Sequence, residues 1–285
     1  MIRAQVLLDR AHVSPGVIDG RDGENVSNAV AAYERLQGLT PDGKLDDAVW
    51  EKLTADAGPI LTDYVITPAD VAGPFTPQIP KDYEDMAKLD RLAYANPLEA
   101  LAERFHMDQA LLTALNPDVD FAVAGTKIVV AAVASQTLPV KVARIEVDKA
   151  MKQIRAFDAA DKLIAAYPAT VGSTDLPTPS GELAVRTIAP NPTWTYDPAK
   201  LNFGRKGAGK QTIKAGPNNP VGAVWIDLTQ DTYGIHGAPD PKMVGKVASH
   251  GCVRLTNWDA VQLSKAVQKG TKVVFIGVEA KAAAA

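Results

Sequence analysis

The chain has 285 residues, 46% of them apolar and 22% charged, which is the make-up of globular domains with room for more than one core. Its formal charge of −3 is divided unevenly: residues 1–138 carry 11 Lys and Arg against 21 Asp and Glu, net −10, and residues 139–285 carry 19 against 12, net +7. Such asymmetry implies separate domains, and a basic second half suits an anionic substrate, although attraction between the two halves explains it equally well. No basic patch is interleaved with aromatics, which argues against nucleic acid, and no apolar run reaches the roughly 18 residues of a membrane span.

In chain order, Ala4–His12 is expected as a helix, followed by turns through Gly16–Gly23. Val26, Ala29, Val30, Tyr33 and Leu36 fall at helical spacing and predict a second helix over Asn25–Gln37. The Gly38-Leu39-Thr40-Pro41-Asp42-Gly43 turn leads to a third over Asp46–Leu53. Residues 1–57 are thus expected as a small helical bundle. Five prolines, Pro59, Pro68, Pro74, Pro77 and Pro80, make 58–90 a linker without long regular elements. Residues 91–134 read as a compact βααβ unit. Leu98, Leu101 and Phe105 face one way on its first helix, Leu111, Leu112 and Leu115 on its second, and Gly125–Ala131 is a strand.

From 138 to 279 the pattern turns to short strands with Gly and Pro turns: Val140–Val147, Gln153–Asp158, Leu163–Thr170, Val185–Ala189, Ala223–Leu228 and Val273–Ile276. Asn257–Val267 is the one clear helix. The fold class expected is therefore multidomain α+β, with a β-sandwich or barrel-like second half.

The chemistry concentrates in His236–Leu255, which holds the single cysteine and two of the four histidines. A lone cysteine is often a buried hydrophobe. Here Gly251 precedes Cys252 and Arg254 follows it, a surrounding that gives backbone access and favours thiolate. His236 lies 16 positions before the thiol and is a candidate base, with His250 as a rival. One cysteine cannot build a disulfide or a structural zinc site, and His12 and His106 stand alone as packing or surface residues. No metal and no cofactor are therefore expected.

His236-Gly237, the spacer, and Ser249-His250-Gly251-Cys252-Val253-Arg254 closely resemble the motif of the L,D-transpeptidases, the YkuD-type catalytic domain. Gly216–Leu228, Thr178–Leu183 and Gly270–Ile276 extend the resemblance over roughly 138–278. It implies a β-sandwich fold and cysteine-dependent acyl transfer on peptidoglycan stem peptides through a thioester, with release of D-Ala. A tetrapeptide is the donor and an amine the acceptor; the alternatives are an L,D-carboxypeptidase or an inactive wall-binding protein. In that reading Cys252 is the nucleophile, His236 the base, and the Gly237 carbonyl the group that orients it. Ser249, His250 and Gly251 shape the loop and the oxyanion site. Arg254 either clamps a substrate carboxylate or anchors the loop on a residue such as Asp259. Carbapenems are expected to acylate Cys252. Trp194, Tyr196, Tyr233 and Trp225 are candidates to line the cleft, with core packing the default for Trp225. The basic stretch Thr195–Lys214, with Arg205, Lys206, Lys210 and Lys214, is either a lid or a solvated loop.

Residues 1–57 resemble a peptidoglycan-binding helical repeat, on the Asp-Gly turns that flank Asn25–Gln37. Residues 91–134 resemble a LysM module, on Ala102–Pro117, although Asn96-Pro97-Leu98-Glu99 departs from that family's first turn. Both resemblances imply glycan strands as further partners. A wall enzyme works outside the cytoplasm, so a periplasmic or wall-associated place is expected, with a leader absent from Met1–Gln5.

Overall fold

The computed structural model describes residues 1–133, 137–201 and 209–279. Helices α1 (Ile2–Arg10), α2 (Glu24–Gln37) and α3 (Asp47–Leu53) follow the apolar spacing closely. α2 stops at Gly38, whose φ of +68° is left-handed and cheap only for glycine. α3 starts where the Asp46 carboxylate accepts the Val49 N–H. Leu7, Leu8, Val26, Val30, Tyr33, Val49 and Leu53 close the core between them. That core is shared with Leu163 and Ala166 of the second half, so the bundle is seated on the sheet.

The next unit comprises β1 (Leu61–Val65), the single-turn helices α4 (Pro68–Val71) and α5 (Tyr83–Met86), then α6 (Pro97–Arg104), α7 (Gln109–Leu115) and β2 (Lys127–Ala131). β1 pairs antiparallel with β2, Leu61 opposite Ala131 and Val65 opposite Lys127. The stretch read as linker thus supplies a strand, which Pro59 and Pro68 bracket without entering it. Val6 and Ile18 join Leu101, Leu112, Ile128 and Val130 in this unit's core. The chain between its helices is strapped onto the second half: Leu92 N–H donates to the Ala215 carbonyl (3.0 Å) and Asn218 N–H to the Leu92 carbonyl (3.0 Å).

The second half contains β3 (Arg144–Asp148), β4 (Gln153–Phe157), β5 (Leu163–Pro168), β6 (Gly181–Pro190), β7 (Trp194–Tyr196), β8 (Gln211–Ile213), β9 (Val224–Leu228), β10 (Gly234–His236), β11 (Val253–Arg254), α8 (Asn257–Ala266) and β12 (Lys272–Ile276). Eight strands form one sheet in the order β11-β10-β9-β6-β12-β3-β4-β5. A sandwich or barrel-like second half was expected; these eight strands make one curled sheet, and not two separate facing sheets. β6 explains the curl. Gly181–Ala184 pairs with β12, the register shifts between Val185 and Thr187, and the rest pairs with β9. α8 packs Ala260, Leu263 and Ala266 into the concave core against Ile145, Ile226, Ile235 and Val273. β7 and β8 form a separate two-stranded ribbon.

Candidate active site

His236 ends β10, whose neighbours are β9 on one side and β11, in parallel, on the other. The register sets His236 opposite Arg254, so the residue before β11, Cys252, arrives beside the same strand end. One cleft of about 280 Å³ is lined by His236, His250, Cys252 and Arg254 together with Tyr83, Trp194, Trp225 and Tyr233.

Two contacts fix the imidazole. Its Nδ1 lies 2.7 Å from the Gly237 carbonyl oxygen, which can only accept, so that nitrogen carries the proton and Nε2 is the basic one. Its face stacks on Trp225, ring centroids 5.3 Å apart. Gly234 makes the stacking possible: a Cβ there would stand 2.5 Å from the indole. Burial, with the Arg254 charge adding to it, holds the His236 pKa down at about 3. Burial likewise pushes the Cys252 thiol up, against the opposing effects of the Gly234 backbone and Arg254. The thiol donates to the Thr232 carbonyl at 3.6 Å. The resting pair is therefore neutral. The electropositive setting read from Arg254 is present, and desolvation outweighs it.

The loop that carries the thiol is braced from within by Ser249, which is buried. Its hydroxyl donates to the Cys252 carbonyl (2.6 Å) and accepts the Gly251 N–H (3.0 Å). Gly251 has φ +115°, and a Cβ there would meet the Tyr233 ring at 2.8 Å. The same loop is braced from outside by the first half. Asn25 donates to the Val244 carbonyl (3.0 Å), and Lys242 pairs with Asp108 (2.7 Å) at the start of α7.

Arg254 points its guanidinium towards the cleft, 3.5 Å from His250 Nδ1. Its Nε is buried and without a partner among the described residues. It is not anchored on Asp259, whose carboxylate instead accepts the Ser14 hydroxyl (2.9 Å) and is raised by burial to about 7. Burial lowers the His250 pKa, and Arg254 adds to that.

Of the aromatics expected in the cleft, Trp194, Trp225 and Tyr233 line it. Tyr196 is 1% exposed and backs Tyr83 at 4.9 Å. Trp225 is a wall of the cleft as well as part of a strand. Of the basic stretch, Lys200 lines the cleft, whereas Arg205 and Lys206 lie outside the described residues. Tyr83 was not legible beforehand. It comes from the proline-rich stretch, far from the motif in sequence, and no local pattern marks it. His106 is a packing residue, with Nδ1 2.7 Å from Asp9 and its ring stacked 4.9 Å from Trp258.

A strand-end imidazole stands beside a strand-start cysteine, on a curled sheet buttressed by α8, which is the pairing of residue types that a base and a thiol nucleophile require. Residues 142–275 match the L,D-transpeptidase catalytic domain model named YkuD, and residues 1–53 match a peptidoglycan-binding domain model. The YkuD protein of Bacillus licheniformis, named as an L,D-transpeptidase, is 30% identical over 179 residues, 62% of this chain and 91% of that relative. Its counterpart in Bacillus subtilis is 28% identical over 180 residues, 62% of this chain and 92% of the relative. The YbiS protein of Escherichia coli K12, also named as an L,D-transpeptidase, is 30% identical over 191 residues, 65% of this chain and 62% of the relative. Among solved structures, L,D-transpeptidase 3 of Mycobacterium tuberculosis aligns at 15% identity with a TM-score of 0.38, over 47% of this chain and 60% of that one. The chain belongs to the YkuD family of L,D-transpeptidase catalytic domains, preceded by an N-terminal peptidoglycan-binding domain.

Proposed function

We propose that the protein is an exported, wall-associated L,D-transpeptidase that acylates Cys252 with a peptidoglycan tetrapeptide and passes the acyl group to an amine. The observation that carries this reading is the shared cleft of His236 and Cys252, with Nδ1 tied to the Gly237 carbonyl so that Nε2 is the nitrogen able to take a proton. Gly237 stands in for the acidic member of a Ser-His-Asp triad. A neutral orienting group suits an imidazole that is neutral at rest.

In the first half-reaction His236 Nε2 removes the thiol proton as Sγ attacks the carbonyl between the third stem residue and D-Ala. Proton transfer accompanies attack, since burial disfavours a standing thiolate and imidazolium. The carbonyl oxygen becomes an oxyanion. Ser249 occupies the Gly251 N–H, and we assign oxyanion stabilisation to the Cys252 N–H. Collapse breaks the C–N bond, and D-Ala leaves as an amine with the proton returned by His236. A thioester remains. The acceptor amine then attacks it, gives its proton to His236, and the expelled thiolate regains that proton. Arg254, half-buried with its guanidinium Nη2 at the cleft wall, is placed to hold a stem carboxylate. The unit from β1 to β2, whose first strand lies at Leu61–Val65 and not within the 91–134 read from the sequence, serves here as a LysM-like module that engages glycan, with 1–57 beside it.

The test is chemical. Imipenem, whose opened ring adds its full mass to an attacking thiol, is expected to label the wild type once and Cys252→Ala not at all. Disaccharide-tetrapeptide with an amine acceptor is expected to yield D-Ala and a cross-linked product. D-Ala with a tripeptide alone assigns hydrolysis, the carboxypeptidase reading. No label and no turnover assign an inactive wall-binding protein.

A further inference from the structure

We propose that Asn257 and Glu103 are positioning residues for the His236 base, so that α6, outside the catalytic sheet, holds the imidazole in line. The inference rests on the transpeptidase reading of His236 and goes beyond it.

Asn257 opens α8 and is 3% exposed; Glu103, near the end of α6, is 6% exposed. The Asn257 side-chain amide is fully committed. Its Nδ2 donates to both Glu103 carboxyl oxygens (3.0 and 3.2 Å) and to the Pro217 carbonyl (3.1 Å). Its Oδ1 accepts the Ala223 N–H (2.9 Å). That same oxygen fills the space over the Cα of Gly237 where a side chain would begin: a Cβ at Gly237 would stand 2.2 Å from it, and one at Gly222 2.3 Å. Gly237 in turn holds the Val224 carbonyl through its N–H (3.2 Å) and His236 Nδ1 through its carbonyl (2.7 Å). The links run from Glu103 to the Asn257 amide, then to the Gly237 backbone, then to the imidazole.

If the Glu103 acceptor is lost, the Asn257 amide loses one of the bonds that set its rotation, and its Oδ1 no longer packs firmly over the Gly237 Cα. The substrate cleft is unaltered, because neither side chain lines it. Binding should survive while proton transfer suffers. Buried Glu103, raised to about 8, is a neutral carboxyl at neutral pH, so glutamine is a close match in shape and charge.

The experiment compares full-length wild type, Glu103→Met, Asn257→Ser, Glu103→Gln and Tyr94→Phe. Tyr94 donates to the same carboxyl (3.3 Å) and is not among the hydrogen-bond partners of the Asn257 amide. Readouts are kcat and KM on disaccharide-tetrapeptide and the His236 Nδ1–H signal in a nitrogen-resolved NMR spectrum. Glu103→Met and Asn257→Ser are expected to lower kcat about tenfold or more with KM within twofold, and to broaden or lose the Nδ1–H signal. Glu103→Gln is expected to restore both, and Tyr94→Phe to leave both unaltered. Wild-type kcat and signal in either disrupting variant overturn the proposal. Loss of the signal in Glu103→Gln, which keeps the acceptor whether or not the other variants fold, overturns it too. A wild type without turnover fails the transpeptidase reading alone, since the imidazole signal still tests the link.

Discussion

Ser249→Ala isolates the brace that presents the thiol. The hydroxyl makes two hydrogen bonds within its own turn, 2.6 Å to the Cys252 carbonyl and 3.0 Å from the Gly251 N–H. Each is worth about 0.5–1.5 kcal/mol net, and stranding the buried Gly251 donor costs about 1–3 kcal/mol more. Water reaching the turn offsets part of this, which leaves about 2–4 kcal/mol. At 1.36 kcal/mol per decade, that is about 30- to 1000-fold in acylation rate if the whole loss falls on the reactive geometry. The assay is stopped-flow or quenched acylation of Cys252 by imipenem, with thermal melting alongside. A slow acylation at a Tm within a few degrees of wild type is expected. Ser249→Ala acylating within twofold of wild type would refute the idea that this hydroxyl holds the thiol in place.

Other outcomes follow from the same site. Alkylation of Cys252 by iodoacetamide is expected to be slow at neutral pH and to rise with pH through the alkaline range, since burial raises the thiol and lowers His236; a rate already level from about pH 5 would instead reveal a standing ion pair. Gly251→Ala, with φ +115° and a contact of 2.8 Å to Tyr233, should lower acylation more than tenfold, measured by intact mass against time. Asp259 and Glu103 sit at about 7 and about 8, above the ordinary carboxylate range near 4. The folded state keeps protons that the unfolded chain releases, so their contribution to stability is full below about pH 4 and lost as pH rises through 7 and 8. His236, held at about 3, has the opposite sign and matters only below its ordinary value near 6.5. Above that, Tm should fall with pH, and Asp259→Asn with Glu103→Gln should flatten the fall; an unaltered slope counts against it.

The three N-terminal helices, α8 and most central strands were legible because each repeats its apolar residues over at least two periods. β10 and β11 were not, being three and two residues long, too short for a period, although they place His236 and Cys252. β1 was hidden by composition. It lies between Pro59 and Pro68 at the head of a proline-rich stretch, and its partner β2 lies more than 60 residues away. The curl of the sheet depends on one register shift in β6, which no residue type announces. For the site, the motif supplied the histidine and the cysteine, because nucleophile and base are rare residue types set among glycines. It did not supply Tyr83, Asn257 or Glu103. These act through long-range packing, and Glu103 lies 154 positions from its partner Asn257. Arg254 showed the limit from the other side. Its sequence neighbour Asp259 was a reasonable anchor, but α8 turns that carboxylate towards Ser14.

The central claim is a covalent acyl group on one sulfur. Rapid acid quench of the full-length protein during turnover of disaccharide-tetrapeptide, followed by peptide mapping, measures it directly. A tripeptide acyl group on the peptide that contains Cys252, gone in Cys252→Ala and strongly reduced in His236→Ala, is the predicted result. D-Ala release by Cys252→Ala at the wild-type rate, or an acyl group on any other side chain, would contradict the account.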